Sequence, residues 1–182
     1  MEPYATLVVC GSCLGVERVS NADRRAAREL AGVATTQVGG IPVEEAARSR
    51  PGRLMRAWRT TWRSWPSEEK LTAPWRDTAS ANRPGWRERA AYLGDEEVFA
   101  VDYQICRTCG LGWVEEPYTN PSYQRCGLAA AGLAAIRSQN QGLEWHTLGG
   151  HFRDSEPFWL SVGAGVSGGY TKRDICAHRT VD

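Results

Sequence analysis

Lysine is nearly absent from this 182-residue chain: Lys70 and Lys172 stand against twenty arginines. That bias reads as the codon usage of a GC-rich genome rather than as a function. An excess of charge is missing too. Twenty-two basic residues meet 21 acidic ones, and a net charge of +1 gives no global field to draw in nucleic acid or an anionic membrane. No apolar run approaches the ~20 residues that a membrane-spanning helix needs. The opening Met1-Glu2-Pro3-Tyr4 has neither the basic region nor the cleavage site of a signal peptide. These absences point to a cytoplasmic protein without a membrane partner, in which the six cysteines are read as metal ligands or packing groups before disulfides.

What is present fits one domain over residues 1–182, with a hydrophobic content of 42%, enough for a sizeable core. Ala5 to Val9 is a short β-branched run ending at Cys10. Ser20 or Asn21 can cap a helix through Ala31, with Gly32 as its stop. Residues 33–52 are mostly irregular, with room for a short helix from Val43 to Arg48. Met55, Trp58, Trp62 and Trp65 recur at helical spacing within Leu54 to Trp65, and Pro66 closes that amphipathic helix. Ser67 to Arg89 is polar and broken by Pro74, Pro84 and Gly85, so short helices and loops are expected there. Glu97 to Ile105 alternates as a strand, Trp113 to Glu115 leaves as a second, and Leu143 to Leu148 is a third. Asp154 or Ser155 opens a last helix through Val162, ending at Gly163.

The organising stretch lies between the second and third of those strands. Asn120-Pro121 runs through a polar loop into a helix on which Leu128, Ala131 and Ala135 keep helical spacing. Gln124-x-x-Gly127-x-Ala129 places small residues where the first unpaired N–H groups of that helix point outward, an arrangement that binds anions. The stretch resembles the acyl-CoA pyrophosphate loop of the GNAT acetyltransferase superfamily, whose pattern is Arg/Gln-x-x-Gly-x-Gly/Ala. Pro121-Ser122-Tyr123 matches the Pro-x-Tyr that leads into that loop, and the similarity extends over roughly residues 97–163. It implies an α/β fold: a twisted, mostly antiparallel sheet flanked by helices.

The same resemblance implies an acyl-CoA-dependent N-acyltransferase, with acetyl-CoA held by Gln124, Arg125, Cys126, Gly127, Leu128 and Ala129. A thiolate would be repelled by phosphate, so Cys126 itself is read as a packing residue. Glu115, nine residues before Gln124, falls on the strand beside the acyl group, where a carboxylate can deprotonate an incoming amine. A solvated strand residue is the alternative for it, and His146 is the alternative base. The tyrosine that protonates the leaving thiolate in many members is replaced here by Trp159, which leaves Tyr170 or His151 as the acid, loss of thiolate without one, or no turnover. Residues 20–95 would form a helical and irregular substrate side. The acceptor amine, a small molecule or a protein, is not identified by any motif.

Cys10-Gly11-Ser12-Cys13 and Cys106-Arg107-Thr108-Cys109 look like two zinc knuckles, each followed by a glycine within two residues. Together they offer the four soft ligands of a closed structural zinc site, which would tie the N-terminal strand to the central hairpin. A dithiol pair or buried small hydrophobes are the alternatives. Cys176 and His178 can also ligate, but a lone pair near the terminus carries little by itself. Trp58, Trp62, Trp65, Trp75 and Trp86 among arginines can stack on bases. Their helical spacing favours packing onto a sheet, and the balanced charge does not suit a nucleic-acid partner.

Overall fold

The computed structural model describes residues 19–40 and 73–179. The expected N-terminal strand with Cys10 and Cys13, the short helix from Val43 and the tryptophan helix from Leu54 lie outside those residues. Helix α1 spans Asn21–Gly32, and a capping box sets its start: Asp23 N–H donates to Ser20 Oγ, and Ser20 N–H donates back to the Asp23 carboxylate. Seven strands follow in one sheet: β1 (Val38–Gly40), β2 (Trp75–Ala79), β3 (Arg87–Leu93), β4 (Glu96–Cys106), β5 (Leu111–Thr119), β6 (Glu144–Thr147) and β7 (Thr171–Lys172). Helix α2 (Leu128–Gln139) joins β5 to β6, and α3 (Glu156–Gly163) joins β6 to β7. No helix among the described residues is long and apolar enough to cross a membrane.

The sheet order is simply β1 to β7. The expectation of a mostly antiparallel sheet needs correcting to a mixed one. β2 to β5 form an antiparallel meander, while β1–β2, β5–β6 and β6–β7 pair in parallel. The last two parallel pairs exist because α2 and α3 return the chain to the same end of the sheet, as crossover connections must.

Within Ser67 to Arg89, residues 80–86 are the expected loop, but Trp75–Ala79 and the start of β3 are strand instead of short helices and loops. The alternation is hidden because, apart from Trp75, the inward residues that mark it are the polar Asp77, Arg87 and Arg89. Asp77 is buried and accepts from Arg87 Nε at 2.6 Å, Arg89 Nη2 at 2.5 Å and Tyr103 Oη at 2.7 Å. Arg89 also reaches Gln139 Oε1 on α2 at 2.6 Å, so the network fixes the helix over the meander. Burial is tolerable because the charges are paired and hydrogen-bonded.

Helices α1 and α2 pack against each other, and the core forms with Trp75, Phe99, Val101, Val114, Leu133 and Ile136. A Cβ on Gly132 of α2 would lie 2.5 Å from Phe99 Cε1, so glycine sets how closely the helix approaches the sheet. Trp75 Nε1 donates to Leu30 O at 2.8 Å within this core. A smaller cluster of Trp86, Cys106, Leu111 and Trp113 lies apart from it. Both described members of the tryptophan-rich segment, Trp75 and Trp86, are therefore packing groups.

Candidate functional site

Strands β5 and β6 pair only over Leu111–Trp113 and Glu144–His146, then separate while β5 continues to Thr119. The cause lies in β5. The stretch of β5 from Glu115 to Tyr118 is one residue longer than the stretch of β4 opposite it, from Asp102 to Ala100. This bulge places Glu116 at φ +50° and leaves Pro117, which has no N–H to donate, where the ladder is already interrupted. A cleft of about 960 Å³ opens between the parted strands and α3.

The floor of the cleft is the loop into α2. Asn120 accepts from Ser122 N–H at 3.0 Å and starts a 3₁₀ turn over Pro121–Tyr123. Arg125 and Gly127 then take left-handed conformations, φ +63° and +86°. Gly127 is the N-cap of α2, and no side chain caps that helix. Gln124, Arg125, Gly127, Leu128 and Ala129 all border the cleft, so the first amides of α2 are offered to it. Cys126 is instead buried in the core, the packing role expected of it.

Two supports of this loop carried no sequence signal. Arg24 of α1 donates to Ser122 O at 2.6 Å and Gln124 O at 2.9 Å. Glu96 accepts from Asn120 Nδ2 and Tyr123 Oη, both at 2.9 Å. Burial first, and then Glu96, push the Tyr123 phenol up to about 12.

On the walls, Glu115 Oε1 accepts from Leu148 N–H at 2.5 Å and so straps β5 to the end of β6 across the gap. His151 stacks on Trp159, with ring centroids 4.6 Å apart and planes 12° from parallel, and both rings line the cleft. Tyr170 does not reach it. Its ring is fully buried behind Trp159 at 5.2 Å, its hydroxyl takes a hydrogen bond from Arg137, and burial outweighs that arginine to raise its pKa. His146 is held by the tail: Nδ1 lies 3.2 Å from Thr171 O and Nε2 3.3 Å from Arg173 Nη1. Of Glu115, Tyr170 and His146, only Glu115 borders the opening, and His151 is the imidazole that does.

A second site lies at the opposite end of β5. Cys106 ends β4, and the tight turn to Leu111 brings Cys109 back beside it, with Gly110 at φ +66°. The C-terminal tail adds Cys176 and His178. One ligand atom from each of these four residues lies within 4.8 Å of all the others, and Cys109 Sγ is 3.2 Å from His178 Nδ1. The group can hold a metal ion such as zinc.

The thiols perturb one another. Burial opposes ionisation of Cys106, but hydrogen bonds from the Cys109 amide and from the Cys176 and Cys109 thiols, with the charge of Arg179, hold its pKa below the ordinary value. Cys109 is pushed up to about 11, first by its hydrogen bond with Cys176, then by desolvation and by Cys106. The expected ligands Cys106 and Cys109 are thus together. Their described partners come from the tail, while Cys10 and Cys13 lie outside the described residues.

No family profile, no curated protein and no solved structure matches this chain.

Proposed function

We propose that this protein is an acyl-CoA-dependent N-acyltransferase of the GNAT type, working in the cleft between β5 and β6. The observation that carries the reading is the uncapped N-terminus of α2 at the floor of a cleft between two parallel strands that part at a bulge. Unpaired amides and the positive end of a 12-residue helix suit a pyrophosphate, and the Arg125 guanidinium at the same edge adds charge. A thioester bound there supplies the acyl group and a thiolate as leaving group.

The chain's own residues do the rest chiefly by positioning. Arg24 and Glu96 hold the loop so that its amides stay presented. Glu115 accepts the proton of an incoming ammonium, directly or through water, as a wall residue with one oxygen on Leu148 N–H and another free to act. His151, held flat on Trp159, is the side chain at the cleft suited to return a proton to the departing sulfur. A second reading, a non-catalytic zinc-binding module of the same shape, is favoured by Trp159 and by the burial of Tyr170.

Thiol release from acetyl-CoA across a panel of small-molecule and peptide amines tests the reading. An acyltransferase releases thiol in step with one amine, and Glu115→Gln lowers that rate by ~10²–10⁴ while acetyl-CoA binding persists. Glutamine keeps an oxygen for Leu148 N–H, so loss of the strap does not account for such a drop. Binding of acetyl-CoA with no turnover on any amine supports the non-catalytic module, and full rate in Glu115→Gln removes Glu115 as the base.

A further inference from the structure

The tail is tied to β6 as far as Arg173: Trp145 N–H donates to Ser167 O, Tyr170 N–H to Trp145 O and Arg173 N–H to Thr147 O, each at 2.8 Å. Its strand β7 is two residues long and meets β6 at two register positions. Around it, Trp113 Nε1 donates to Arg173 O at 3.0 Å, Arg173 pairs with Glu144 at 3.1 Å on the surface, and Ile175 packs against the small Trp86, Cys106, Leu111 and Trp113 cluster. Beyond Arg173 no strand among the described residues pairs the tail to the sheet, and an exposed ion pair contributes little. The tied part carries Tyr170, the fully buried ring behind Trp159.

We propose that Cys106, Cys109, Cys176 and His178 bind one zinc(II) ion, and that this ion clasps the C-terminal tail to the β4–β5 turn. The donor set fits the metal. Three thiolates and one imidazole make a closed, four-coordinate site with no position left for water, the pattern of structural zinc. Zinc–sulfur bonds of ~2.3 Å in a tetrahedron place neighbouring sulfurs about 3.8 Å apart, and the ligand atoms here already lie within 4.8 Å of one another. Both ligand pairs sit on turns that aim them inward. Gly110 N–H donates to Arg107 O at 3.3 Å in the first, and Arg179 N–H donates to Cys176 O at 2.9 Å in the second.

A redox-active disulfide would use two of the sulfurs and give His178 no role. The convergence of all four donors, two of them 69 residues apart, is what a metal ion requires. Because such a site cannot exist in the unfolded chain, the ion's binding free energy becomes folding free energy, spent on fixing the tail. This inference is independent of the acyltransferase reading, because none of the four ligands lines the cleft.

Elemental analysis of full-length protein, purified without added metal, should find one zinc per chain. Cobalt(II) exchanged into the site should show the intense visible bands of tetrahedral cobalt with thiolate charge transfer. Cys10→Ser and Cys13→Ser should retain the zinc, whereas Cys176→Ser and His178→Ala should lose most of it. His178→Cys, which keeps four ligands, should retain metal and shift the cobalt bands. That variant separates ligand loss from a general failure to fold. Chelation of the wild-type protein should raise amide exchange across 174–179 and the 107–110 turn while α1 and α2 keep their protection. The proposal is overturned by four freely titrating thiols and no metal in the native protein. It is equally overturned by zinc that survives in Cys176→Ser and His178→Ala but leaves with Cys10→Ser, or by tail exchange that chelation does not change.

Discussion

Strand β5 has two ends, and they solve opposite problems. At its start it is closed on every side: β6 pairs with Leu111–Trp113, the tail crosses Trp113, and the cysteine corner caps the turn. At its far end the pairing stops, a bulge turns the strand away, and a cleft is left against the start of α2. The two glycines beside these ends show the difference. A Cβ on Gly112 would meet the Trp145 ring at 2.7 Å, so that glycine exists for packing. A Cβ on Gly127 would meet nothing nearer than Ala31 at 3.8 Å, so that glycine exists for its left-handed φ of +86° and for the open space before it. One end is a packed joint whose loss should be felt in stability. The other is a prepared opening whose loss should be felt in binding.

The sharpest way to break this comparison is at the packed end. Gly112→Ala should destabilise the protein by about 1–3 kcal/mol, the usual cost of overpacking, and each kcal/mol lowers the melting temperature of a chain this size by roughly 2–4 °C. Its acetyl-CoA affinity, measured below the melt, should match the wild type. A Gly112→Ala variant that melts normally but loses ligand affinity would reverse the roles assigned to the two ends.

A smaller effect should appear at Asp102, which faces Glu115 in register, midway between the ends. Burial raises the pKa of Asp102, the Ser80 hydrogen bond and Arg83 lower it, Glu116 raises it, and the net shift is upward. A carboxyl whose folded pKa lies above its unfolded value contributes stability at acid pH, and that contribution is lost as pH rises through the folded pKa. The stability of Asp102→Asn relative to wild type should therefore increase from pH 4 to pH 7 in denaturant melts. A difference that stays constant or shrinks would mean that pairing with Arg83 dominates over burial.

Much of this arrangement was legible in the residues. Ser20, one of two cap candidates, announces the start of α1, the alternation from Glu97 announces β4, and Gly127-x-Ala129 announces a helix with an exposed N-terminus. Strand β2 was not legible, because Asp77 faces inward with Arg87 and Arg89 as partners, and hydrophobic alternation cannot flag a buried charge network. The Arg24 clamp escaped for another reason: it acts on backbone carbonyls about a hundred residues away, which no local pattern records. Cys176 and His178 were visible as possible ligands, but their meeting with Cys106 and Cys109 depends on how α3 and β7 route the tail. The matching Cys-x-x-Cys pattern pointed to Cys10 and Cys13, which lie outside the described residues.

The central claim is that the start of α2 is an anion cradle for an acyl-CoA, and calorimetric titration of acetyl-CoA into wild type and Gly127→Trp tests it most directly. The wild type should bind saturably at one site per chain. Gly127→Trp fills the space before the amides, and losing two charge-assisted hydrogen bonds at ~1.5–3 kcal/mol each should weaken binding by about 10²–10⁴. A wild type that shows no saturable binding, or a folded Gly127→Trp protein that binds as tightly as wild type, would contradict the account.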